Sequence, residues 1–557
     1  MKWGRAATGA MRRRPQSRYC LYRFFGPPCL AWSRSGVVFS SYKNGSFYST
    51  VVYFRRMTSA ISELRKAARE IGALKSASGL LGWDQETFMP EKGGNARAES
   101  QAVLGTLVHE KMTSDAFWGL IDRASGMSLP PREAALLREL RRDAENARKI
   151  PADLAEDLAR TASLAQQAWA KARAANDGKG APGDFLPWLK KMVDLKRREA
   201  GCLGYAATPY DALLDQFEPG ATVSSVKPVL ETLRDGLVPL LNRVLEKNAA
   251  RAPSSSVSAA PSAPVPVAAQ HAFNERLLRD MGFDLEAGRL DASAHPFTQG
   301  MAPSDVRLTT RYREDDWLNA VFSTLHEGGH GLYEQGLPED EWGTPLGEAA
   351  SLAIHESQSR FWENRVGRSR AYWVRVLPVA KEMLGAPVAG ETVDGVQARV
   401  NAVERSFIRV EADELTYNLH VLLRFQIEEA LFSGALEVEG VEAAWNEGMK
   451  TLLGVTPPDP ARGFLQDVHW SCGLFGYFPT YTLGNLYAAQ IAAALERDVG
   501  SLDARIRAGD FAPLRDWLRE NIHRHGREFP AAELCRRATG EELDAAHFLR
   551  YLESKYL

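Results

Sequence analysis

The spacing of apolar residues along most of the chain is that of amphipathic helices. Beyond the first 56 residues, apolar side chains recur every three or four positions, which places them on one face of a helix. In the stretch AISELRKAAREIGALKSASGLLGW, one such face consists of Ile61, Leu64, Ala68, Ile71 and Leu74. The same spacing recurs in REAALLRELRRDAENARK and SSVKPVLETLRDGLVPLLNRVLEKN, whereas runs of alternating β-branched residues are scarce. The pattern predicts a mainly α protein with minor β structure.

One stretch without helical spacing, at about 251–270, reads RAPSSSVSAAPSAPVPVAAQ. It is rich in Pro, Ser and Ala and has a single charged residue, a composition typical of a flexible, partly polyproline-like segment. Such a segment either links two domains or forms a loop inserted into one fold. Composition alone leaves both alternatives open.

The first 56 residues differ in composition from the rest of the chain. They contain eleven Lys or Arg and seven Ser but no Asp or Glu, so the remainder carries 57 basic against 70 acidic residues. A basic, Ser-rich segment without acidic residues resembles a mitochondrial transit peptide. In the alternative, Met57 is the true start and the upstream part is non-native or disordered. Either way, we expect a basic extension at 1–56 and the folded domain at 57–557.

The overall composition limits the classes of function. A formal net charge of −2 on 557 residues points to no nucleic-acid partner and to no anionic membrane surface. No uninterrupted apolar run approaches the roughly 18 residues that a membrane helix needs. The five cysteines lack CxxC spacing, which fits a reducing compartment and argues against a thiolate metal site. We therefore expect a cytoplasmic protein, or a mitochondrial one if residues 1–56 are a transit peptide.

The stretch VFSTLHEGGHGLYEQG carries the clearest chemistry of the chain. Residues four apart share a helix face, so His326 and His330 can bind one metal ion. Glu327 then lies beside that ion, where it can take a proton from the attacking water. Gly328 and Gly329 each oppose helix formation by about 1 kcal/mol relative to alanine, which indicates close approach of a substrate backbone or a neighbouring helix. The alternative is a surface helix whose histidines have no chemical role.

A catalytic zinc site needs a third protein ligand and one open position. The next segment with helical spacing, GEAASLAIHESQSRFWENRVG, offers four candidates, and a glutamate from it would complete a two-histidine, one-glutamate site. The candidates are Glu348, His355, Glu356 and Glu363. A third histidine at HExxHxxGxxH spacing is excluded, because position 336 is a glycine. Spacing alone does not choose among the four.

A series of short motifs resembles the thermostable metallocarboxypeptidases of the carboxypeptidase Taq type. In chain order they are WDQETFMP (83–90), HPFT (295–298), DVRLT (305–309), HEGGH (326–330), HESQSR (355–360), IRVEAD (408–413) and GFLQDVHW (463–470). Together with their spacing they cover roughly residues 57–557. The resemblance implies an elongated, almost wholly helical zincin fold with a deep central active-site groove, assembled as a homodimer. It also implies that the stretch at about 251–270 is a surface insertion.

The same resemblance assigns the third metal ligand to Glu356. It implies one divalent ion per chain, held by His326, His330 and Glu356. Zn²⁺ is the expected ion, and Co²⁺ or Mn²⁺ are alternatives because such sites accept several ions. The reaction that it implies is removal of single residues from the C-terminus of a peptide, with Glu327 as the general base.

A carboxypeptidase must recognise a free C-terminal carboxylate, for which a bidentate arginine is well suited. Arg409 in IRVEAD and Tyr481 in GYFPTYTLGN resemble the carboxylate-binding pair of the family. A structural alternative remains open, in which Tyr481 is a core residue and Arg409 forms a salt bridge. The salt-bridge partners available near it in sequence are Glu404, Asp413 and Glu414.

Two further histidines are candidates for substrate contact. His295 in HPFT and His469 in QDVHW either touch the substrate or the surroundings of the metal, or are buried, hydrogen-bonded histidines. Asp305 and Arg307 are expected to form a structural ion pair.

The sequence thus predicts a metal-dependent carboxypeptidase acting on peptides with a free C-terminus. Two alternatives stay open at this stage, a zinc endo- or oligopeptidase and a non-catalytic peptide-binding scaffold that retains the fold.

Overall fold

The computed structural model describes residues 31–33, 36–38, 46–175, 180–250 and 263–557, with side chains described from residue 60 onward. The chain divides into two compact units, Met1–Thr58 and Ser59–Leu557. The first contains two antiparallel strands, β1 (Ala31–Ser33) and β2 (Gly36–Val38). Most of the predicted extension at 1–56 lies outside the described residues, and the division falls two residues beyond its predicted end.

Helices dominate the described chain, as the apolar spacing predicts. The helices before the sheet of the second unit are α1 (Ser46–Thr87), α2 (Gly94–Thr113), α3 (Asp115–Ser125), α4 (Pro131–Lys149), α5 (Ala152–Arg173), α6 (Leu186–Leu203), α7 (Pro209–Asp215), α8 (Val223–Ala250) and α9 (Val267–Met281). The helices after it are α10 (Trp317–Glu334), α11 (Leu352–Arg360), α12 (Arg370–Leu384), α13 (Val393–Val400), α14 (Tyr417–Ser433), α15 (Val441–Leu453), α16 (Phe478–Val499), α17 (Leu502–Ala508), α18 (Ala512–Asn521), α19 (Ala531–Thr539) and α20 (Ala545–Tyr556).

Shorter helical segments connect these elements. A π-helix at Phe361–Gly367 continues α11 without a break. Short 3₁₀ turns lie at Glu91–Gly93, Pro182–Asp184, Glu339–Glu341, Pro345–Gly347, Ala386–Val388, Arg409–Glu411, Val438–Gly440, His469–Cys472 and His523–Glu528. Within the described ranges, no helix combines the length and the apolar character that crossing a bilayer requires.

The β structure of the second unit is a three-stranded sheet packed against α10. It contains β3 (Gly288–Ala292), β4 (Thr298–Ala302) and β5 (Asp305–Thr310), in the order β3-β5-β4. β3 is parallel to the central strand, with Leu290 opposite Leu308, and β4 is antiparallel, with Thr298 opposite Leu308. Because Thr298 begins β4, the sheet brings this residue of the HPFT motif to the helix that carries the HEGGH motif.

Two apolar clusters stabilise the second unit. The smaller one is formed by α1, α3 and α4, and it buries four of the five residues of the predicted stripe, Ile61, Leu64, Ala68 and Ile71. The larger cluster runs through α5 to α20 and includes Leu325 of α10 and Ile354 of α11. The two helices that carry the metal-binding motifs are therefore set on the larger core.

The stretch predicted as an insertion, at about 251–270, lies only partly within the described residues. Residues 251–262 lie outside the described residues, whereas Val265 is fully buried and α9 begins at Val267. The backbone N–H of Val265 donates to the carbonyl of Glu314 at 2.8 Å. The composition stays Pro- and Ala-rich up to Gln270, but within the described residues Val265 is buried and residues 267–270 are helical.

Candidate active site

Helix α10 presents both histidines of the HEGGH motif on one face. The helix is capped by Asp316, whose side chain accepts a hydrogen bond from the backbone N–H of Asn319. Leu325 is fully buried, which fixes the rotation of the helix about its axis. The histidine rings follow one another one turn apart, with centroids 4.9 Å apart.

Helix α11 supplies the third donor atom. Ser351 caps the helix by accepting from the N–H of Ile354, and Glu356 follows in its second turn. The Oε2 atom of Glu356 lies 3.4 Å from His330 Nε2 and 3.7 Å from His326 Nε2. All three donor atoms fall within 4.8 Å of one another, and within the described residues they form the only cluster of three or more metal-ligating side chains.

The other three candidates for the third ligand have different partners. Glu363 accepts from Nδ1 of His326 at 2.9 Å, and His355 Nδ1 lies 2.5 Å from His330 Nδ1. Glu363 and His355 therefore each contact the Nδ1 atom of a histidine, the ring nitrogen that points away from the donor cluster. Glu348 precedes α11 and pairs instead with Arg527 at 3.0 Å. The structure thus brings only Glu356 into the cluster, as the resemblance implies.

The glycines of HEGGH make room for neighbouring helices. A Cβ atom on Gly329 would lie 2.5 Å from the carbonyl oxygen of Gln358 and 2.6 Å from Cα of Ser359, both in α11. A Cβ on Gly328 would meet the side-chain ends of Leu278 and Met281 in α9, at 2.8 and 3.0 Å. Of the two interpretations, close approach of a substrate or of a helix, the geometry supports the helix.

A divalent metal ion fits the donor set. Bonds of about 2.0–2.2 Å place the ligands of a tetrahedral zinc roughly 3.4 Å apart, close to the 3.4 and 3.7 Å separations between Glu356 and the two histidines. Burial and the adjacent His355 lower the pKa of His330 to about 3, which leaves this imidazole neutral, the form that binds metal. Two imidazoles and one carboxylate are the donor types that zinc prefers.

The charges around the donors follow from burial and ion pairs. Burial raises the pKa of Glu356, but Arg360 and His326 outweigh it and hold this pKa well below its usual range. Burial lowers the pKa of His326, but Glu356 and Glu363 outweigh it and raise the pKa. A metal ion entering the site therefore competes with a proton on His326.

Glu327 lies beside the donor cluster and is only 6% exposed. Its Oε2 accepts from the hydroxyl of Thr298 at 2.7 Å, and the same hydroxyl reaches the Glu327 carbonyl at 3.1 Å. Burial raises the pKa of Glu327 above the ordinary glutamate value. A carboxylate in this state accepts a proton more readily than an exposed one, which suits a general base.

The donor cluster opens on one side into a cleft of about 730 Å³. His326, Glu327 and Arg360 line this cleft, as does Val410, which is 72% exposed. Arg360 also donates to Glu356 at 2.6 Å and lies over the ring of Tyr417, 4.8 Å from its centroid. The cleft thus gives a peptide access to the cluster.

Arg409 is 5% exposed and forms a salt bridge with a carboxylate that is distant from it in sequence. Its Nε and Nη2 donate to Oδ1 of Asp467 at 3.1 and 2.8 Å, and its Nη1 donates to the hydroxyl of Tyr417 at 3.0 Å. Asp467 also accepts from the fully buried Arg424. The salt-bridge partners suggested by sequence proximity are wrong, since Glu414 pairs with Lys555 and Asp413 accepts from Thr416.

Tyr481 and His469 lie next to Arg409. The Arg409 guanidinium carbon is 5.0 Å from the Tyr481 ring centroid, and the Tyr481 hydroxyl is 3.2 Å from His469 Nε2. Burial, together with Arg409, lowers the pKa of His469 to about 4 and keeps its ring neutral. The two residues and Arg409 therefore form one cluster, linked to the metal ligands through Tyr417 and Arg360.

His295 is placed differently from the other predicted residues. It is exposed, and its backbone carbonyl accepts from the hydroxyl of Ser293 at 2.6 Å. Asp305 and Arg307 form the expected ion pair, at 2.9 Å, and Arg307 also lies over the Trp83 ring. The HPFT motif contributes Thr298 to the site by contact with Glu327, whereas His295 has no such contact among the described residues.

Besides the partners of Arg409, three side chains near the donor cluster contact predicted residues without having been predicted themselves. Thr298 holds Glu327, Arg360 holds Glu356, and Glu334 lies 2.7 Å from His355 Nε2. Thr298 belongs to the HPFT motif and Arg360 to the HESQSR motif, so the motifs marked both residues but did not indicate what they contact. For Glu334 the only signal is its position four residues after His330.

Known proteins match the chain over most of its length. The family model described as carboxypeptidase Taq (M32) metallopeptidase matches residues 63–556. Thermostable carboxypeptidase 1 from Thermus thermophilus is 46% identical over 511 residues, covering 89% of this chain and 98% of that protein. Carboxypeptidase 1 from Bacillus subtilis is 37% identical over 492 residues, covering 88% and 96%. The crystal structure of the M32 carboxypeptidase from Deinococcus radiodurans matches with a TM-score of 0.85 at 40% identity, covering 89% of this chain and 99% of that one.

Proposed function

The chain belongs to the carboxypeptidase Taq (M32) metallopeptidase family and is a metallocarboxypeptidase, and on this premise we propose how its own residues perform the reaction. We propose that it releases single residues from the C-termini of peptides at the cluster of His326, His330 and Glu356, with Glu327 as the general base. The observation that carries this proposal is the convergence of three metal-ligating atoms within 4.8 Å beside a buried carboxylate.

The metal ion of this proposal is Zn²⁺, with Co²⁺ or Mn²⁺ as alternatives. His326 and His330 would hold it through Nε2 and Glu356 through Oε2, the three atoms that converge. When bound, such an ion supplies a Lewis acid that polarises the scissile carbonyl and activates a water molecule. Its two histidines and one glutamate leave a fourth position open, as catalytic zinc sites require.

Glu327 is proposed to move the proton of the reaction. It takes a proton from the attacking water and passes it to the nitrogen of the leaving residue. The hydroxyl of Thr298 holds one carboxylate oxygen at 2.7 Å, which leaves the other for the water in the cleft that Glu327 lines. Burial keeps bulk water from competing for the carboxylate. Because the pKa of Glu327 is raised, the carboxylate accepts a proton readily and can then return it.

Arg409 and Tyr481 are proposed to bind the C-terminal carboxylate of the substrate. Asp467 engages Nε and Nη2 of Arg409, and Tyr417 accepts from Nη1, so each Nη atom keeps one further N–H that a second carboxylate can accept. His469, neutral and 3.2 Å from the Tyr481 hydroxyl, is proposed to orient that hydroxyl. His295 is proposed only as an outer contact to the substrate, since it is exposed.

Assembly as a homodimer and a cytoplasmic location remain proposals that rest on the sequence resemblance. A mitochondrial location is the alternative if residues 1–56 direct import. Light scattering on the purified protein tests the first, and cell fractionation of a tagged full-length chain tests the second.

Replacing Glu327 by glutamine tests the assignment of the base. The amide keeps the shape and the hydrogen bond from Thr298 but cannot accept a proton, so we expect kcat to fall by about 10²–10⁴-fold. Metal content should stay at one ion per chain by mass spectrometry of the native protein, because no ligand changes. Retention of near wild-type kcat in Glu327→Gln would refute the role.

A further inference from the structure

The two proposed metal-binding histidines differ in what holds their second ring nitrogen. His326 Nδ1 lies 2.9 Å from Oε2 of Glu363, a carboxylate that also accepts from Arg360 and Arg368. His330 Nδ1 lies 2.5 Å from Nδ1 of a third histidine, His355. In the first arrangement a carboxylate contacts the histidine directly, and in the second the ring of His355 lies between His330 and the carboxylate of Glu334.

The proposed metal contact at Nε2 sets the direction of each hydrogen bond around His330. His330 turns Nε2 toward Glu356, so Nε2 is the metal-binding atom and Nδ1 carries the hydrogen. Nδ1 of His355 must then accept that hydrogen. Its own hydrogen is left on Nε2, which lies 2.7 Å from Oε1 of Glu334 and donates to it. A continuous relay therefore runs from Glu334 through His355 to His330.

The relay is built into the contact between α10 and α11. His330 and Glu334 lie one turn apart on α10, and His355 of α11 bridges them. The ring of Tyr333 packs against His355 with centroids 5.3 Å apart. Glu334 in turn lies against Gly300 of β4, where an added Cβ would clash with its carboxylate. These contacts leave the His355 ring little freedom to rotate.

We propose that His355 is a positioning residue for the metal ligand His330, and that Glu334 anchors it through the second ring nitrogen. The relay fixes which nitrogen of His330 carries hydrogen and so keeps Nε2 available to the ion. The proposal rests on the metal site given under Proposed function. It assigns a role to the histidine of HESQSR, a residue that the reaction itself does not use.

Zinc affinity is the property that this role controls. Partners of metal-binding histidines typically contribute 10–100-fold to metal affinity. We expect His355→Phe, which keeps a planar ring against Tyr333 but cannot accept a hydrogen bond, to raise the zinc Kd by about that factor. His355→Gln should recover most of the affinity, because its carbonyl can accept from His330 and its amide can donate to Glu334. Glu334→Leu should weaken zinc binding by a smaller factor, roughly tenfold.

The measurement is titration of the full-length apoprotein with Zn²⁺ in competition with a chromogenic chelator. Glu348→Gln is the matched control, since Glu348 lies in the same segment but pairs with Arg527 and touches no ligand. Thermal unfolding of each apoprotein reports folding separately, because a residue with only a packing role would lower the apo midpoint and leave the zinc Kd unchanged. Glu334→Leu keeps the test valid if His355→Phe misfolds, since Glu334 contacts no metal ligand.

Two different failures can be told apart in this experiment. Equal zinc Kd values for wild type, His355→Phe and Glu334→Leu would overturn the positioning role while leaving the metal site intact. A wild-type protein that binds no Zn²⁺ would instead overturn the proposed site, and the relay with it.

Discussion

Two buried glutamates at the site have pKa values that are shifted in opposite directions from the ordinary glutamate value. Glu356 and Glu327 are each 6% exposed, so burial raises the pKa of both. For Glu356 the positive charge of Arg360 outweighs burial, and its pKa lies well below the usual range. Glu327 receives a hydroxyl from Thr298 and stays raised. Carboxylates whose pKa values are pushed apart in this way serve as ligand and base respectively.

Arg409 is a single residue that we expect to matter for substrate binding beyond its salt bridge. Replacement by lysine keeps the charge but removes the planar fork, and a charge-assisted hydrogen bond contributes about 1.5–3 kcal/mol. We expect kcat/KM on a free-acid peptide to fall by about 10–100-fold, mainly through KM. Steady-state kinetics on Arg409→Lys measure this change.

The matched control for Arg409 is Arg424→Lys. Arg424 shares Asp467 with Arg409 but is fully buried, so it cannot reach a substrate. If both variants lose activity equally and with the same loss of thermal stability, Arg409 has only a structural role.

Among single residues, the metal donors were more predictable from sequence than their surroundings. The spacing of His326 and His330 fixes their common face on any helix, so local periodicity was enough. Glu348 was one of the four candidates for the third ligand, but α11 begins only at Leu352, so the helical spacing does not extend to Glu348. The partner of Arg409, Asp467, is 58 residues away along the chain, and only tertiary folding brings them together.

At the level of secondary-structure elements, the site depends on how closely α10 and α11 approach. A Cβ at Gly329 would meet α11 backbone, which cannot move aside without separating the helices. We expect Gly329→Ala to destabilise the protein by about 1–3 kcal/mol, as overpacking does, and to weaken zinc binding by displacing Glu356. Thermal unfolding and zinc titration measure the two effects.

Gly328→Ala is the control for that variant. The added Cβ would meet the flexible ends of Leu278 and Met281, and alanine favours a helix by up to about 1 kcal/mol over glycine. We expect little net change. Equal losses of stability in the two variants would argue against the importance of the helix–helix contact.

The start of α11 carries a pH-dependent contribution to stability. Glu218 is 3% exposed and accepts from the backbone N–H of Ala353 at 2.5 Å, and burial raises its pKa to about 8. The folded state therefore holds this proton more tightly than the unfolded state, whose glutamate pKa is about 4.3. The protonated Glu218 therefore contributes to the free energy of unfolding in full below about pH 4.3. This contribution is lost as the pH rises through 8.

Replacing Glu218 by glutamine should remove this dependence. The amide can still accept from Ala353 but does not ionise, so Glu218→Gln should gain thermal stability relative to wild type as the pH rises from about 5 to about 8. Midpoints of thermal unfolding measured across this range test the prediction. A constant difference between the two proteins at all pH values would show that Glu218 does not titrate in the window given.

The elements themselves were only partly predictable. Long helices such as α1 and α8 are predicted by the three- and four-residue spacing of apolar residues, and most of these apolar residues are buried. The strands of the sheet are only five or six residues long and show no clear alternation of buried and exposed positions. Their sequences are therefore too short and too irregular to predict strands. The π-helix at Phe361–Gly367 contains Glu363, which accepts from Arg360 and Arg368, but apolar spacing does not distinguish a π-helix from an α-helix.

In the molecule as a whole, the site is assembled from distant segments. Thr298 comes from the sheet, the metal donors from α10 and α11, and Arg409 and Tyr481 from segments further along the chain. All of them lie in the unit Ser59–Leu557. No local pattern predicts this grouping. The family resemblance does, because the motifs that carry these residues occur together and in order.

Product analysis on two matched peptides is the decisive measurement for the proposed carboxypeptidase reaction. The peptides share one sequence and differ only in a free C-terminal carboxylate or a C-terminal amide, and mass spectrometry follows the products over time with and without a chelator. We predict stepwise loss of single residues from the free acid, an intact amide, and arrest by chelator that added Zn²⁺ reverses. Cleavage of the amide at a comparable rate, or internal fragments from the free acid, would show that the reaction is not that of a carboxypeptidase.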